Sequence, residues 1–315
     1  MKDTQTHAQY STGLARSDIE RALIAAGKDL DHLQPADPGL LEEFHTMGRY
    51  ATSQLVDLIE ITRDDEVLDA GSGIGGTARF VADRCRCRVT AADLTEEYCE
   101  TARWLNRLVG LDEQISVHQA DVTELPLADA TFHAVFSQHV QMNVADKTRL
   151  YREARRVLVP GGRLAMWDIT TGAGGDLAYL LPWADRPEFS NLVTADQLRA
   201  VVESAGFAIE HWNDLIDQAA AIRHCLPAHS DCTPSSPASP KKPTTSLPPS
   251  PMVGCERSRA SHEQQRRPHR EQASGRKAVV VLEFAVDRTS RHSLGRVDHD
   301  VVVDADSAES GQGMH

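Results

Sequence analysis

Three acidic side chains and a glycine-rich turn are the part of this sequence best suited to chemistry. Asp69 comes near the end of an apolar run, Glu66 to Ala70, and Gly71-x-Gly73-x-x-Gly76 follows directly. Glycine tolerates positive φ and lets the backbone approach a ligand closely. The helix-like segment Thr77 to Asp83 comes next, and its first free N–H groups would face that ligand. The pattern predicts a strand, a turn and a helix that together bind a nucleotide-like cofactor.

The spacing of the glycines is shared by several cofactor classes, so it does not select among them. Asp69 lies two residues before the first glycine. Its carboxylate would repel a pyrophosphate, whereas S-adenosylmethionine has no phosphate and carries a sulfonium and an ammonium. Opposite charges within a few ångströms attract strongly in a partly dry cleft. The residues therefore favour S-adenosylmethionine over a nicotinamide dinucleotide, and the alternative is an acid that only caps or solvates the turn.

Two further acids follow predicted strands. Asp93 ends the strand that begins at Arg88, where a carboxylate can accept hydrogen bonds from both ribose hydroxyls of either cofactor. Asp121 ends the third strand, where it can accept from an adenine amino group while the Val122 backbone meets the ring. An ordinary solvated acid is the alternative for both. The predicted cofactor-binding residues are Asp69, Gly71, Gly73, Asp93, Leu94, Asp121, Val122 and Gln138.

Four segments, in this order, resemble the class I S-adenosylmethionine-dependent methyltransferases. They are VLDAGSGIGG, VTAADL, QADVTELPLADATFHAVFSQHV and RRVLVPGGRLAMWDI, and the resemblance covers about residues 45–212. The sequence is most similar to the branch that includes the ubiquinone/menaquinone-biosynthesis C-methyltransferases and the sarcosine/dimethylglycine N-methyltransferases. The resemblance implies an enzyme that transfers a methyl group from S-adenosylmethionine to a small-molecule acceptor.

The alternation of strands and helices predicts an α/β fold with a doubly wound, mostly parallel sheet, the Rossmann-like methyltransferase fold. Ligands of such sheets bind at the carboxyl ends of the strands. We predict a helical N-terminal cap (1–60), an S-adenosylmethionine-binding domain (61–224) and a Pro/Ser/Arg-rich tail (225–315). In related methyltransferases the N-terminal region covers the cofactor, so the resemblance implies that Phe44–Arg49 could line the cleft. Simple core packing is the alternative for that segment.

His139 is the predicted general base, because it follows the fourth strand and an ordinary imidazole pKa of about 6.5 suits neutral pH. Methyl transfer is an in-line displacement, in which the protein mainly aligns donor and acceptor. Gln141 and Asn143 could orient the acceptor, and Asp168 is a second candidate base. We interpret the connection Gly172–Ser190 as a substrate loop. A His139 that contacts the cofactor or packs structurally is the alternative.

The C-terminal tail departs from the family pattern, which expects a seventh strand antiparallel to its neighbours. Residues 226–276 hold nine of the fifteen prolines, a composition that predicts disorder. The apolar run 278–286 could supply the seventh strand, or it could be an unrelated apolar stretch. The whole tail could also be a frameshifted reading of an ordinary C-terminus.

The bulk properties limit the class of partner. The formal net charge of −13 argues against nucleic-acid binding, which needs a basic face. The six cysteines form no C-x-x-C pair, so we predict no metal site. No run approaches the roughly 20 apolar residues of a membrane span, and the N-terminus lacks a signal core, so we predict a cytoplasmic protein without a membrane partner.

Two other functions stay open at this point. One is a nicotinamide-dependent oxidoreductase, against which Asp69 is the main argument. The other is a non-catalytic S-adenosylmethionine-binding protein with an aberrant C-terminus. Neither the methylated atom of the acceptor nor the oligomeric state follows from the sequence.

Overall fold

The computed structural model describes residues 13, 15–40, 48–172, 181, 183–184, 186–215 and 277–286. The strands are β1 (Glu66–Ala70), β2 (Arg88–Asp93), β3 (Ile115–Gln119), β4 (Phe132–Gln138), β5 (Leu158–Thr171), β6 (Phe207–Asp214) and β7 (Lys277–Val286). The α-helices are α1 (Ala15–Ala25), α2 (Arg49–Ile59), α3 (Gly76–Cys85), α4 (Glu96–Leu108), α5 (Lys147–Val157) and α6 (Ala195–Ser204). Short 3₁₀ turns span Leu30–His32, Asp37–Leu40, Gln141–Asn143 and Pro187–Phe189.

The described strands form one seven-stranded sheet in the order β3-β2-β1-β4-β5-β7-β6, and every neighbouring pair is parallel. The predicted α/β fold with a doubly wound, mostly parallel sheet is confirmed. The order of the strands reverses between β1 and β4, which are adjacent although β2 and β3 separate them in sequence. Such a switch point opens a crevice at the carboxyl ends of the strands, which is where ligands of open α/β sheets bind.

The orientation of β7 corrects the antiparallel seventh strand expected from the family pattern. β7 lies between β5 and β6 and runs parallel to both. Its run Val279–Leu282 is rich in β-branched residues and has no polar alternation, which is typical of a strand in a parallel sheet that is covered on both faces. A parallel return requires a long crossover rather than a tight hairpin, and the chain between β6 and β7 has that length. The segment 226–276, predicted to be disordered, lies outside the described residues.

Both faces of the sheet are covered by apolar clusters. On one face α2 contributes Leu55 and Ile59, which are buried together with Val67 of β1. On the other face α5 contributes Leu150 and Tyr151. Two covered faces make the strands nearly continuous apolar runs, so polar side chains concentrate at the strand ends. No helix among the described residues is long and apolar enough to cross a membrane.

The N-terminal helices α1 and α2 contact the rest of the structure through polar side chains. The Glu97 carboxylate of α4 accepts hydrogen bonds from the backbone N–H groups of Gly13 and Ala15, both at 2.8 Å, and so caps the start of α1. Arg84 of α3 donates to Ser53 Oγ of α2 at 2.7 Å and pairs with Asp57. Most of the segment Phe44–Arg49 and much of the loop Gly172–Ser190 lie outside the described residues, so their predicted roles stay predictions.

Candidate active site

The glycine turn follows β1 at the switch point of the sheet. The N–H groups of Gly71 and Ser72 both donate to the Ala92 carbonyl of β2, at 2.8 and 3.0 Å. Gly71 has φ +78° and lies against Val140, so that a Cβ there would be 2.4 Å from Val140 Cγ2. Gly73 has φ +54°, and a Cβ there would meet no described atom within 4 Å. The backbone at Gly71 therefore packs closely against Val140, whereas the backbone at Gly73 is open to a ligand.

Asp69 is buried at the end of β1, with only 3% of its surface exposed. Burial raises its pKa to about 7, the negative charge of Asp93 adds to the rise, and the Ala78 N–H and Arg79 oppose it. Its Oδ2 atom has no hydrogen-bond partner among the residues that the structure describes. A buried carboxylate oxygen without a partner is energetically unfavourable. A cationic or N–H-donating ligand beside Asp69 would relieve that unfavourable state.

Asp93 lies across the turn from Asp69 and is half-buried. Its Oδ2 accepts from the Gly73 N–H at 2.8 Å and its Oδ1 accepts from the Thr95 N–H at 2.9 Å. These two bonds fix the carboxylate against the glycine turn. Leu94, the next residue, is half-buried, and its carbonyl accepts from the Gln119 side chain at 3.2 Å.

Asp121 and Val122 follow β3 at the same edge of the sheet. The Ala120 N–H donates to the Asp93 carbonyl at 2.8 Å, which connects this loop to the end of β2. Asp121 Oδ1 accepts from the N–H and the hydroxyl of Thr123, both at 2.7 Å. Val122 is buried in the apolar cluster on that face. The structure thus brings the loops that carry Asp93 and Asp121 side by side.

Gln138, at the end of β4, is held by two threonines rather than by the other predicted cofactor residues. Its amide Nε2 donates to Thr77 Oγ1 of α3 at 2.6 Å and contacts Thr52 Oγ1 of α2 at 3.3 Å. All three side chains are buried. Gln138 therefore connects α2 to the first turn of α3, the helix that follows the glycines.

Arg79 is a residue that the sequence analysis missed. It is completely buried in α3, and its guanidinium donates to the Ile74 carbonyl at 2.7 Å and to Asn106 Oδ1 at 2.9 Å. A Cβ on Gly75 would lie 3.0 Å from Arg79 Nη1. Arg79 thus supports the glycine turn from beneath and adds positive charge below Asp69. The only signal in the sequence was an arginine among the small and apolar residues of a helix start.

His139 follows β4 and is half-buried. Its backbone has φ +54°, a left-handed conformation that non-glycine residues rarely adopt. Its N–H donates to the Trp167 carbonyl of β5 at 2.8 Å. Since the next residue, Val140, packs on Gly71, the imidazole is carried on a turn in direct contact with the glycine turn. Backbone strain of this kind is frequent at functional sites.

Two of the other predicted acceptor-side residues, Gln141 and Asp168, lie deeper than His139. Gln141 is fully buried, and its side-chain amide donates to the Ile169 carbonyl. Asp168 is also fully buried, beside the N–H groups of Gln141 and Ile169 at 3.5 and 3.3 Å. Burial raises the pKa of Asp168 to about 7. Hydrogen bonds from those amides and the positive charge of Lys147 oppose this rise. Asn143 is half-buried, and its carbonyl accepts from the Asn191 amide at 3.3 Å.

The residues present fit S-adenosylmethionine. Asp69 offers an unpartnered carboxylate oxygen to an ammonium, Asp93 is a carboxylate held against the open turn at Gly73, and the acidic pair disfavours a diphosphate. Asp121 and Val122 lie on the adjacent loop, as an adenine site requires.

Comparison with known proteins finds several methyltransferases that are similar to this chain. Residues 68–166 match the family model described as a methyltransferase domain. The chain is 31% identical to the methyltransferase GfsG of Streptomyces halstedii, over 58% of this chain and 66% of that protein. It is 33% identical to the sarcosine/dimethylglycine N-methyltransferase of Halorhodospira halochloris, over 46% of this chain and 52% of that protein. Geranyl diphosphate C-methyltransferase from Streptomyces coelicolor A3(2) aligns with a TM-score of 0.49 and 19% identity over 56% of this chain and 66% of that one.

The matched segment begins in β1 and ends in β5, so it contains the glycine turn, both acidic loops and His139. The resemblance to S-adenosylmethionine-dependent methyltransferases is confirmed, and this segment matches the model of a methyltransferase domain. The chain spans about two thirds or less of the length of these relatives.

Proposed function

We propose that this chain is an S-adenosylmethionine-dependent methyltransferase that acts on a small-molecule acceptor. The observation that carries the proposal is the buried, partly unsatisfied Asp69 carboxylate beside the open backbone of Gly73, with Asp93 fixed across the turn. This arrangement favours a ligand with positive charge and ribose hydroxyls over one with phosphates. The family match and the names of the curated relatives support the same class of reaction.

The bound cofactor supplies a methyl group that is already activated by the sulfonium. The protein's contribution is then mainly alignment, which can be worth about 7–11 kcal/mol. We propose that Asp69 binds the ammonium, that Asp93 binds the ribose hydroxyls, and that Asp121 and Val122 bind the adenine. Leu94 and Gln138 complete the proposed site from the ends of β2 and β4.

His139 is the proposed general base. An imidazole on the turn beside Gly71 can accept the proton that an acceptor nitrogen, phenol or carbon acid loses on methylation. Asp168 has a pKa near neutrality, but it is fully buried beneath the turn. His139 is therefore better placed than Asp168 to reach an acceptor.

Calorimetric titration tests the cofactor. S-adenosylmethionine and S-adenosylhomocysteine should bind, NAD and NADP should not, and Asp93→Ala should weaken binding. Binding of NAD but neither thioether nucleoside would support the oxidoreductase instead. Binding of S-adenosylmethionine with no turnover on any acceptor would support a non-catalytic binding protein.

A methyl-labelled donor incubated with metabolite fractions would identify the acceptor and the methylated atom. Dimethylglycine and 27-O-demethylrifamycin SV are suitable first probes, because methyltransferases similar to this chain are named for these acceptors. Independence from nucleic acid is supported by the formal net charge of −13. A cytoplasmic location is proposed from the sequence alone.

A further inference from the structure

Lys147 is a buried lysine that neither the cofactor site nor the proposed base explains. It is the first residue of α5 and is only 6% exposed. Its Nζ donates to the carbonyls of Gln141 and Val144, both at 2.9 Å, and to the carbonyl of Asn191. An ammonium has three N–H donors, so these carbonyls use its full capacity.

Burial of this ammonium is unfavourable. Desolvation lowers the Lys147 pKa to about 8, and the charge of Asp168 partly opposes that fall. Lysine is almost never fully buried unless it is paired. Three convergent carbonyls and a nearby buried carboxylate are thus the specific environment that keeps the ammonium inside the protein.

The three carbonyls belong to two segments at the acceptor side of the cleft. The post-β4 turn (residues 139–144) carries the first two, and the return segment (residues 186–193) carries the third. Asn191 adds two more links, because its N–H donates to the Met142 carbonyl at 2.8 Å and its Nδ2 donates to the Asn143 carbonyl at 3.3 Å. Lys147 is the one side chain among these contacts that reaches both segments from a helix.

The post-β4 turn also holds the proposed base. His139 begins this turn, and Val140 packs on Gly71 of the cofactor turn. A displacement of the turn would therefore move the imidazole relative to the cofactor. It would also move the return segment, which includes the end of the predicted substrate loop and leads into α6.

We propose that Lys147 is a positioning residue for methyl transfer: its ammonium fixes the post-β4 turn to the return segment and so sets the distance between His139 and the acceptor. This inference rests on the proposed function. Lys147 touches neither cofactor nor acceptor, and it acts through the carbonyls that it binds.

Lys147→Met tests the proposal, since methionine keeps an unbranched apolar chain and removes the ammonium. Hydrogen exchange of the backbone amides of residues 142–144 and 191 should become at least ~10-fold faster, as three lost hydrogen bonds require. Arg149→Met is the matched control, because it removes a cation from the same turn of the helix. The Arg149 guanidinium is exposed and pairs with Glu124. It should leave exchange in both segments unchanged.

The acceptor found with labelled donor supplies a second readout. Lys147→Met should lower kcat/KM for the acceptor at least ~10-fold, the equivalent of one lost charge-assisted hydrogen bond. KM for S-adenosylmethionine should stay within about twofold. A rise in KM for S-adenosylmethionine as large as the loss of kcat/KM for the acceptor would mean general destabilisation. That result would overturn the positioning role.

Lys147→Ala provides a rescue experiment that also covers a poorly folded Met variant. Propylammonium replaces the missing chain and its three donors, whereas trimethylpropylammonium has the charge but no N–H. If propylammonium alone restores slow hydrogen exchange in the two segments, the proposal is supported. No rescue by either, together with unchanged exchange in Lys147→Met, overturns it.

Failure of the proposed function gives a different result. In that case the wild-type protein would not bind S-adenosylhomocysteine, while the exchange measurements on the two segments would still report whether Lys147 holds them together.

Discussion

Replacement of Asp69 by asparagine should make the protein more stable and a poorer binder of its cofactor. The folded-state pKa of Asp69 is about 7, against an ordinary value of 3.8. The difference is about 3 units, and at about 1.4 kcal/mol per unit it corresponds to about 4 kcal/mol of disfavoured ionisation in the folded state. Asparagine keeps the shape and an acceptor oxygen for the Ala78 N–H, but it never ionises.

The sign follows from proton linkage. A carboxyl with a raised folded-state pKa is protonated more readily in the folded protein, so stability falls as the pH rises from about 4 to about 7 and is constant above. The asparagine variant lacks this fall. Its advantage over the wild type should therefore grow by about 2–3 kcal/mol between pH 5 and pH 8 in the absence of cofactor. Urea unfolding at the two pH values measures the difference.

Cofactor affinity should change in the opposite direction. If the Asp69 carboxylate binds the ammonium, loss of its charge removes a charge-assisted interaction of about 1.5–3 kcal/mol. Calorimetry at pH 8 should then show S-adenosylhomocysteine binding about 10- to 100-fold more weakly. Asp168→Asn is the matched control, since Asp168 is equally buried with a pKa of about 7. The Asp168→Asn variant should gain unfolding free energy over the wild type in the same pH range. Its affinity for S-adenosylhomocysteine should not fall.

Two results would refute this reasoning separately. A stability difference independent of pH would mean that Asp69 is not desolvated in the folded protein. An unchanged affinity for S-adenosylhomocysteine would mean that the Asp69 carboxylate does not bind the ammonium.

The remaining predictions concern the same cleft. Because an ammonium favours ionised Asp69, S-adenosylhomocysteine affinity should fall as the pH drops below about 7, with proton release in calorimetry near that pH; pH-independent binding would contradict this. Gly71→Ala should lose about 2–5 kcal/mol of unfolding free energy, from strain at φ +78° and overlap with Val140. Gly73→Ala should lose only about 1–2 kcal/mol, but it should weaken cofactor binding more than its stability loss implies; unaltered affinity would place the ligand elsewhere. His139→Gln should lower labelled-methyl turnover about 10²–10⁴-fold while cofactor affinity stays within about twofold, and retained turnover would remove His139 as the base.

The sequence predicted most of the strand and helix order because that order depends on local pattern. The apolar runs that end in Asp69, Asp93 and Gln138 are β1, β2 and β4 of the structure. Strand ends of a parallel sheet meet at one edge, so placing these residues there required no tertiary information. The glycine turn was likewise visible, because positive φ at Gly71 and Gly73 is a local requirement.

The direction of β7 could not be predicted in this way. An apolar run of nine residues has the same composition whether its neighbours run parallel or antiparallel to it. Only the crossover and the pairing with β5 and β6 decide the direction. The family pattern supplied an antiparallel expectation, and the parallel pairing shows that a general pattern need not extend to a chain with a different connection.

The amino-acid sequence by itself determined the fold class, the glycine turn and the acids that follow the strands, because each depends on residues close together in the chain. Only the tertiary structure decided that Asp69 is desolvated, that Gln138 joins Thr52 to Thr77, and that Lys147 binds carbonyls from two distant segments. Burial and hydrogen-bond partners arise when remote elements pack, and no local spacing specifies which side chains will meet there.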